Sequence, residues 1–482
     1  MKTPRVQNLL AIALVFGLAF TSANLFAQQG TPAGRVPIGH PVPFWSQPPA
    51  FPNGPLPNIA QPQQPLKGTG GGVNVVQSFD GIDFLGSNCG CLPPDTNAAV
   101  GNGFVAEAVN IQFRVWDTSG NLMLDEPLQT LFGAPTGGDP VVVYDDIANR
   151  WYVNAFDSSD SGLFLAVSND SNPLDGFVTY DLTNVNGFPD YAKPGFNKDA
   201  IFISYNNFGT GGGDAEIAAI DKNALLGGTL SYFISDPKPQ FRAMPPARMH
   251  GDTTGGTEWF VSTDGNDSGP LSTMRVTMMT NYLSNSPVFT YTSVPVTTYQ
   301  AASTANQPGG SITVFPNTTT YQVHYRNGHL VTAMASALAG DGFVFPKALI
   351  YDVNVSGGTP SLTREIDLDH GSGVAMQMPS VDLDSNGDYG FNWIESSSTE
   401  NLTMWVDGLN TKKSFKKPFG LATVVTPSTG FMSINFRIGD YSSLVLDPAD
   451  GLTFWGANEY VGTNGGSDIW STHIAAFTVP KK

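Results

Sequence analysis

The segment Asp139-Pro-Val-Val-Val-Tyr-Asp-Asp-Ile-Ala-Asn-Arg-Trp-Tyr-Val-Asn-Ala-Phe156 sets two short β-branched and aromatic runs around a polar turn. That is the composition of a β-hairpin. The pattern recurs along the chain. Residues 96–100 lead through Gly101-Asn-Gly103 into Phe104-Val-Ala-Glu-Ala-Val-Asn110, and residues 193–196 lead through Asn197-Lys-Asp199 into Ile201-Phe-Ile-Ser-Tyr-Asn206. Further copies enter their second strands at Trp259-Phe-Val-Ser-Thr263, His329-Leu-Val-Thr-Ala-Met334, Tyr389-Gly-Phe-Asn-Trp393 and Leu452-Thr-Phe-Trp455. Most are followed by a third strand ending near an Asp, such as Phe113-Arg-Val-Trp-Asp117 or Leu349-Ile-Tyr-Asp352, and then by a weaker fourth.

The onset residues Phe104, Trp151, Ile201, Trp259, Leu330, Phe391 and Phe454 lie 47 to 71 residues apart. This is somewhat longer than blades of about 40–50 residues, which leaves room for larger loops. Four-stranded units at this spacing predict an all-β fold, a seven-bladed β-propeller, with six or eight blades as the alternatives. Sandwich domains would need about 100 residues each. The last copy shows three strands, closing with Trp470-Ser-Thr-His-Ile-Ala-Ala-Phe477, and residues 73–79 are expected to supply its fourth. Closure by that strand would remove an exposed sheet edge.

Lys2 and Arg5 precede an apolar run of 12 residues, Leu9 to Phe20, and small residues follow up to Ala27. A membrane span needs roughly 20 apolar residues, so residues 1–27 read as a cleaved signal peptide. Residues 28–72 are rich in Pro, Gly and Gln and read as a linker. The body, residues 73–482, is then expected to be a monomer that is secreted or periplasmic and spans no membrane. Charged residues make up 13% of the chain and the formal net charge is −18. Phosphate backbones would be repelled, which argues against a nucleic-acid partner. Cys89 and Cys91 read either as a tight local disulfide or as two thiols near a binding face, since no His or second Cys pair completes a zinc spacing.

Gly138-Asp139-Pro-Val-Val-Val-Tyr-Asp with Asn149-Arg-Trp151, Pro93-Pro-Asp-Thr-Asn97, Phe188-Pro-Asp-Tyr-Ala-Lys193, and Arg437-Ile-Gly-Asp-Tyr-Ser-Ser with Phe454-Trp-Gly-Ala-Asn-Glu-Tyr460 resemble a group of exported bacterial β-propeller-like proteins. The resemblance covers residues 73–479. It implies secretion and a propeller-like body, and it brings no catalytic residues with it.

In a propeller the loops before the innermost strands and after the second strands open on one face. Side chains assigned there include Asp95, Asp139, Asp190, Tyr191, Lys193, Arg248, Arg437, Asp440 and Tyr441 before the inner strands. Asn110, Asp157, Asn207, Asp264, Glu395, Asn458 and Glu459 follow the second strands. Of these, Asp95, Asp139, Asp190, Tyr191, Lys193, Arg437, Asp440, Tyr441 and Glu459 form the candidate ligand site. Asp or Asn before a strand also serves simply as a turn former. A second candidate is Asp382-Leu-Asp-Ser-Asn-Gly-Asp388, where Asp382, Asp384, Asn386 and Asp388 resemble the start of a calcium loop. It departs from that loop in having Trp393 where the bidentate Glu would stand. The His residues form no HExxH pair, and His324 and His329, flanking Asn327-Gly328, are expected to point apart.

Two functional readings follow. The first is a secreted binding module that recognises a glycan, a protein or a cation such as Ca²⁺ through its loop face. The alternative is an extracellular hydrolase or lyase acting on a polysaccharide with paired carboxylates on that face. The residues leave open whether the chain is an enzyme.

Overall fold

A computed structural model describes residues 26–29 and 72–481, apart from 159–161, 183–186, 209–212, 239–240, 264–269, 285, 303, 315–319, 413–422, 427, 429, 431, 433–437 and 465–466. The fold is all-β and propeller-like. Each polar turn marked in the sequence joins two antiparallel strands. Thr136–Asp145, Arg150–Asp157, Leu163–Ser168 and Phe177–Leu182 pair in chain order as one four-stranded sheet. Asn97–Gly101, Phe104–Val109, Gln112–Asp117 and Leu122–Pro127 form another. No helix among the described residues is long and apolar enough to cross a membrane.

Among the described residues, seven first strands stand side by side. They are Asn97–Gly101, Thr136–Asp145, Pro189–Phe196, Ala247–Met249, Val323–Arg326, Ala375–Leu383 and Ser443–Leu446. Each packs on the next, and Ser443–Leu446 packs back on Asn97–Gly101, so the row closes on itself. The fourth is only three residues long and pairs in parallel with both neighbours. Pro245 and Pro246 precede it, and proline cannot donate to a ladder. Its only bridge to its own second strand is Pro246 opposite Phe260.

The longest repeat interval, between Trp259 and Leu330, carries an extra hairpin, Thr304–Gln307 with Gly310–Thr313. The Gln307 carboxamide exchanges two bonds with the Met432 backbone, donating at 3.1 Å and accepting at 2.9 Å.

The N-terminal strand does close the last sheet. Asn74–Asp83 pairs antiparallel with Ser467–Thr478, placing Ser78 opposite Ala475 and Phe79 opposite Ile474. A buried carboxyl anchors it: Glu107, on the first sheet, accepts from Ile82 N at 3.0 Å and from Thr96 Oγ1 at 2.9 Å. Thr472 Oγ1 bonds both the amide (2.7 Å) and the carbonyl (2.9 Å) of Ile82. Gly81 has to be glycine here, because a Cβ would lie 2.4 Å from oxygens of both Glu107 and Thr472. Burial pushes the Glu107 carboxyl up to about 7. Phe26–Gln29 also pairs, with Thr229–Ile234. Cys89 and Cys91 are disulfide-bonded, which settles the two readings of that pair.

The closing strand buries Phe79 and Ile82, worth about 1.5–3 kcal/mol each. A chain starting at Phe84 should therefore melt well below one starting at Gly72 and should self-associate through the exposed edge of Ser467–Thr478. Differential scanning calorimetry with light scattering checks this; equal melting temperatures would refute closure by this strand.

Candidate functional site

A backbone device repeats where the inner strands begin. Asp95, Asp139, Tyr191, Ala243, Met378 and Gly439 all have φ between +45° and +63°. Pairing slips beside three of them, between Gly138 and Val141, Asp190 and Lys193, and Gln377 and Ser380. The device is a bulge with a left-handed residue, which bends a strand and re-aims its side chains. Non-glycine residues rarely adopt this conformation, and it recurs at functional sites. In the fifth unit residues 315–319, shortly before Val323–Arg326, lie outside the described residues.

These bulges bring most of the sequence-predicted ligand residues together. Asp139 Oδ2 accepts from Tyr441 Oη at 2.5 Å and from the Tyr191 amide at 3.2 Å. Asn110 links Asp139 to Asp95, accepting from the Asp139 amide at 2.9 Å and donating to Asp95 Oδ2 at 2.6 Å. The rings of Tyr191 and Tyr441 meet edge to face with centroids 5.3 Å apart. Between them sits the Lys193 ammonium, 3.5 Å from the Tyr191 centroid and 3.0 Å from that of Tyr441. Lys193 is 6% exposed, and among the described residues its Nζ has no hydrogen-bond partner. Burial pulls its proton affinity down to about 7 against the opposing charges of Asp139, Asp95, Asp440 and Asp190.

Asp440 carries the cluster towards Glu459. Glu459 is wholly buried and lies against Gly439, whose missing Cβ would come 2.9 Å from Glu459 Oε1. Burial, reinforced by the Asp440 charge, pushes the Glu459 carboxyl well above the usual carboxylate range. Tyr321, a residue sequence reasoning passed over, stands in the same field: burial and then Asp440 raise its phenol. Its only sequence signal is its place just before an inner strand. Ala305 and Ile312 of the inserted hairpin belong to the same hydrophobic core as Ile438 and Tyr441.

Other assignments land elsewhere. Arg437 and Asp264 lie outside the described residues. Arg248 was placed with the entry loops but sits inside Ala247–Met249, among His250, His324 and Asp382, because its inner strand starts late. The Asp382–Asp388 stretch does not gather its oxygens on one point. Asp382 forms a two-pronged pair with Arg326, both contacts 2.9 Å. Asp384 accepts from the amides of Asn386 (2.8 Å) and Asp388 (2.9 Å) and from Asn386 Nδ2. Asp388 caps Thr411. Among the described residues these three carboxylates share no common ligand sphere. His324 and His329 do point apart, His329 pairing with Asp352 at 2.7 Å.

A separate pair of carboxyls lies on the sixth sheet. Glu395 accepts from Trp393 Nε1 at 3.0 Å and pairs with His370 at 2.7 Å, while Glu400 accepts from Trp405 Nε1 at 3.0 Å. The two glutamates are hydrogen-bonded to each other, and burial followed by the Glu395 charge pushes Glu400 up to about 7. Glycosidase carboxyls stand about 5 Å or more apart, so this touching pair is not one.

No family model and no curated protein matches the chain. Solved structures that it resembles include a protein of unknown function from Dyadobacter fermentans, at 12% identity and TM-score 0.36, over 85% of this chain and 100% of that one. Others are the extracellular domains 1–2 of Drosophila semaphorin 1a, at 7% and 0.40 over 87% and 88%, and Penicillium chrysogenum alpha-L-arabinanase, at 12% and 0.34 over 67% and 89%. At these scores they carry no functional argument.

Two pH dependences follow. The Lys193 amine is depressed in the folded state, so its contribution to stability is unfavourable below about pH 7 and improves towards the unfolded value of 10.5. Lys193→Met should flatten that rise; melting curves from pH 6 to 10 that run parallel to those of the native chain would contradict it. Glu400 is raised, so its contribution is favourable below the unfolded 4.5 and is lost as pH rises through about 7. Glu400→Gln should melt above the native chain at pH 8, with the gap closing by pH 4.5; a gap independent of pH would count against the shared proton.

Proposed function

We propose that the axial cluster is an acid–base site, carried on a seven-bladed propeller exported by residues 1–27, and that it hydrolyses an extracellular glycan. What supports this reading is that Asp440 stands in the electrostatic reach of two buried groups: Glu459, whose carboxyl burial pushes well up, and Lys193, whose amine burial pulls down to about 7. Environments that drive titratable neighbours apart mark acids and bases at work. Burying that ammonium among ring faces carries a desolvation cost that its contacts only partly offset.

In this reading Glu459 donates its proton to the leaving glycosidic oxygen. Asp440 or Asp139 provides the carboxylate that activates water or attacks the anomeric carbon. Lys193 balances part of the negative field. Tyr191, Tyr321 and Tyr441 wall the cluster with buried aromatic rings. The surplus of carboxylates suits the positive charge that develops at an anomeric centre.

That surplus also suits a recognition site for a cation or a cationic ligand, and one experiment separates the two. The purified protein is screened against neutral and acidic polysaccharides beside Glu459→Gln. The glutamine is isosteric with the neutral acid, so it should leave the melting temperature within a degree or two while lowering turnover by about 10²–10⁴-fold. Binding without turnover in the native chain, or full turnover in the variant, would overturn the catalytic reading.

A further inference from the structure

A second polar cluster stands at the far ends of the inner strands, independent of the acid–base site. His250 follows Ala247–Met249, His324 lies within Val323–Arg326 and Asp382 within Ala375–Leu383. One nitrogen from each histidine and one oxygen of Asp382 lie within 4.8 Å of one another.

The cluster offers its two rings more acceptors than two neutral imidazoles have N–H groups to fill. His250 Nδ1 is 3.0 Å from Asp146 Oδ1. His324 Nε2 is 3.4 Å from Gln322 Oε1, and the Gln322 amide nitrogen donates to Ser442 O, which keeps its oxygen towards the histidine. Both outer partners are acceptors, and a neutral imidazole has one N–H. With both protons drawn outwards, His250 Nε2 and His324 Nδ1 face each other lone pair to lone pair, 3.2 Å apart. An extra proton would fill the gap between the rings and nothing more. A metal ion would also take up Asp382 Oδ2, 3.7 Å from His324 Nδ1.

Nitrogens 3.2 Å apart, each about 2.1 Å from a metal, would subtend about 100°, once the two rings, which meet nearly head-on with centroids 5.4 Å apart, tilt towards it. Each ring's other nitrogen is held by an oxygen acceptor, as in carboxylate–histidine–metal arrangements, and Arg326 orients the Asp382 carboxylate from behind. His250, Asp146 and Arg248 line a cavity with room for about one water-sized guest. Arg248 is 4% exposed, and among the described residues its Nη1 has no hydrogen-bond partner.

We propose that His250, His324 and Asp382 bind a divalent transition-metal ion of the Zn²⁺ or Co²⁺ type, leaving one position open to a water or small anion beside Arg248. Imidazole nitrogens with a carboxylate suit such ions.

The test uses the tag-free full chain, stripped with a chelator and titrated with Co²⁺. One equivalent should produce visible d–d bands, and Zn²⁺ should displace them. His250→Gln should abolish the bands, and Asp146→Asn should weaken Co²⁺ affinity about 10–100-fold. Should either variant fail to fold, ¹⁵N shifts of the native imidazoles on adding Zn²⁺ decide instead: displacement of the His250 and His324 signals supports the site. Failure of the folded native chain to take up either ion at millimolar concentration, an imidazolium at this pair that Zn²⁺ does not displace, or unchanged affinity in a folded His250→Gln would overturn it.

Discussion

The pairing of Asn74–Asp83 with Ser467–Thr478 is the constraint on which the rest depends. It joins strands almost 400 residues apart in the chain. It covers the outer edge of the last sheet and ties that sheet to the first one through Glu107. The pairing is specified chemically as well as by backbone bonds. Glu107, Thr96 and Thr472 converge on Ile82, and Gly81 leaves them the room to do so. Loop closure over such a length costs little more than over a shorter one, because the entropy grows only with the logarithm of length.

Given a closed ring, the left-handed bulges decide what the axis contains. An inner strand that stayed regular would alternate its side chains between the two faces of its sheet. The bulge interrupts that alternation at Asp139 and Tyr191 and puts acidic and aromatic groups where the sheets converge. Asp139 then reaches both the next unit, through Tyr191, and the last, through Tyr441, so one carboxylate ties three sheets together. Lys193 at the centre is held by ring faces and charge, with no hydrogen bond to its ammonium among the described residues. That arrangement is electrostatically responsive, which a saturated salt bridge such as Arg326–Asp382 is not.

The two ends of the inner strands have opposite characters for a sequence-level reason. The starting ends carry Asp95, Asp139, Asp190 and Asp440 against Lys193. The finishing ends carry Arg248, Arg326, His250 and His324 against Asp146 and Asp382. Each inner strand is short, so one chain segment contributes to both ends, as Asp139 and Asp146 do across Thr136–Asp145.

The sequence by itself determined the all-β class, the recurring hairpins, the closing strand and most of the axial set, because strand periodicity, turn composition and position relative to each hairpin are local properties. Asp95, Asp139, Asp190, Tyr191, Lys193, Asp440, Tyr441 and Glu459 were identifiable because each stands at a fixed offset from its hairpin. Arg248 was misplaced because Pro245-Pro246 delays its strand, a shift that appears only once pairing partners exist. The oxygens of Asp382, Asp384 and Asp388 looked convergent on a calcium-loop spacing. Asp382 turned instead to Arg326, and the other two to turn amides and Thr411. Tertiary structure alone decided that His250, His324 and Asp382 meet. They come from three different inner strands, and nothing in their spacing along the chain records which strands become neighbours at the axis or what the packed interior does to their protons.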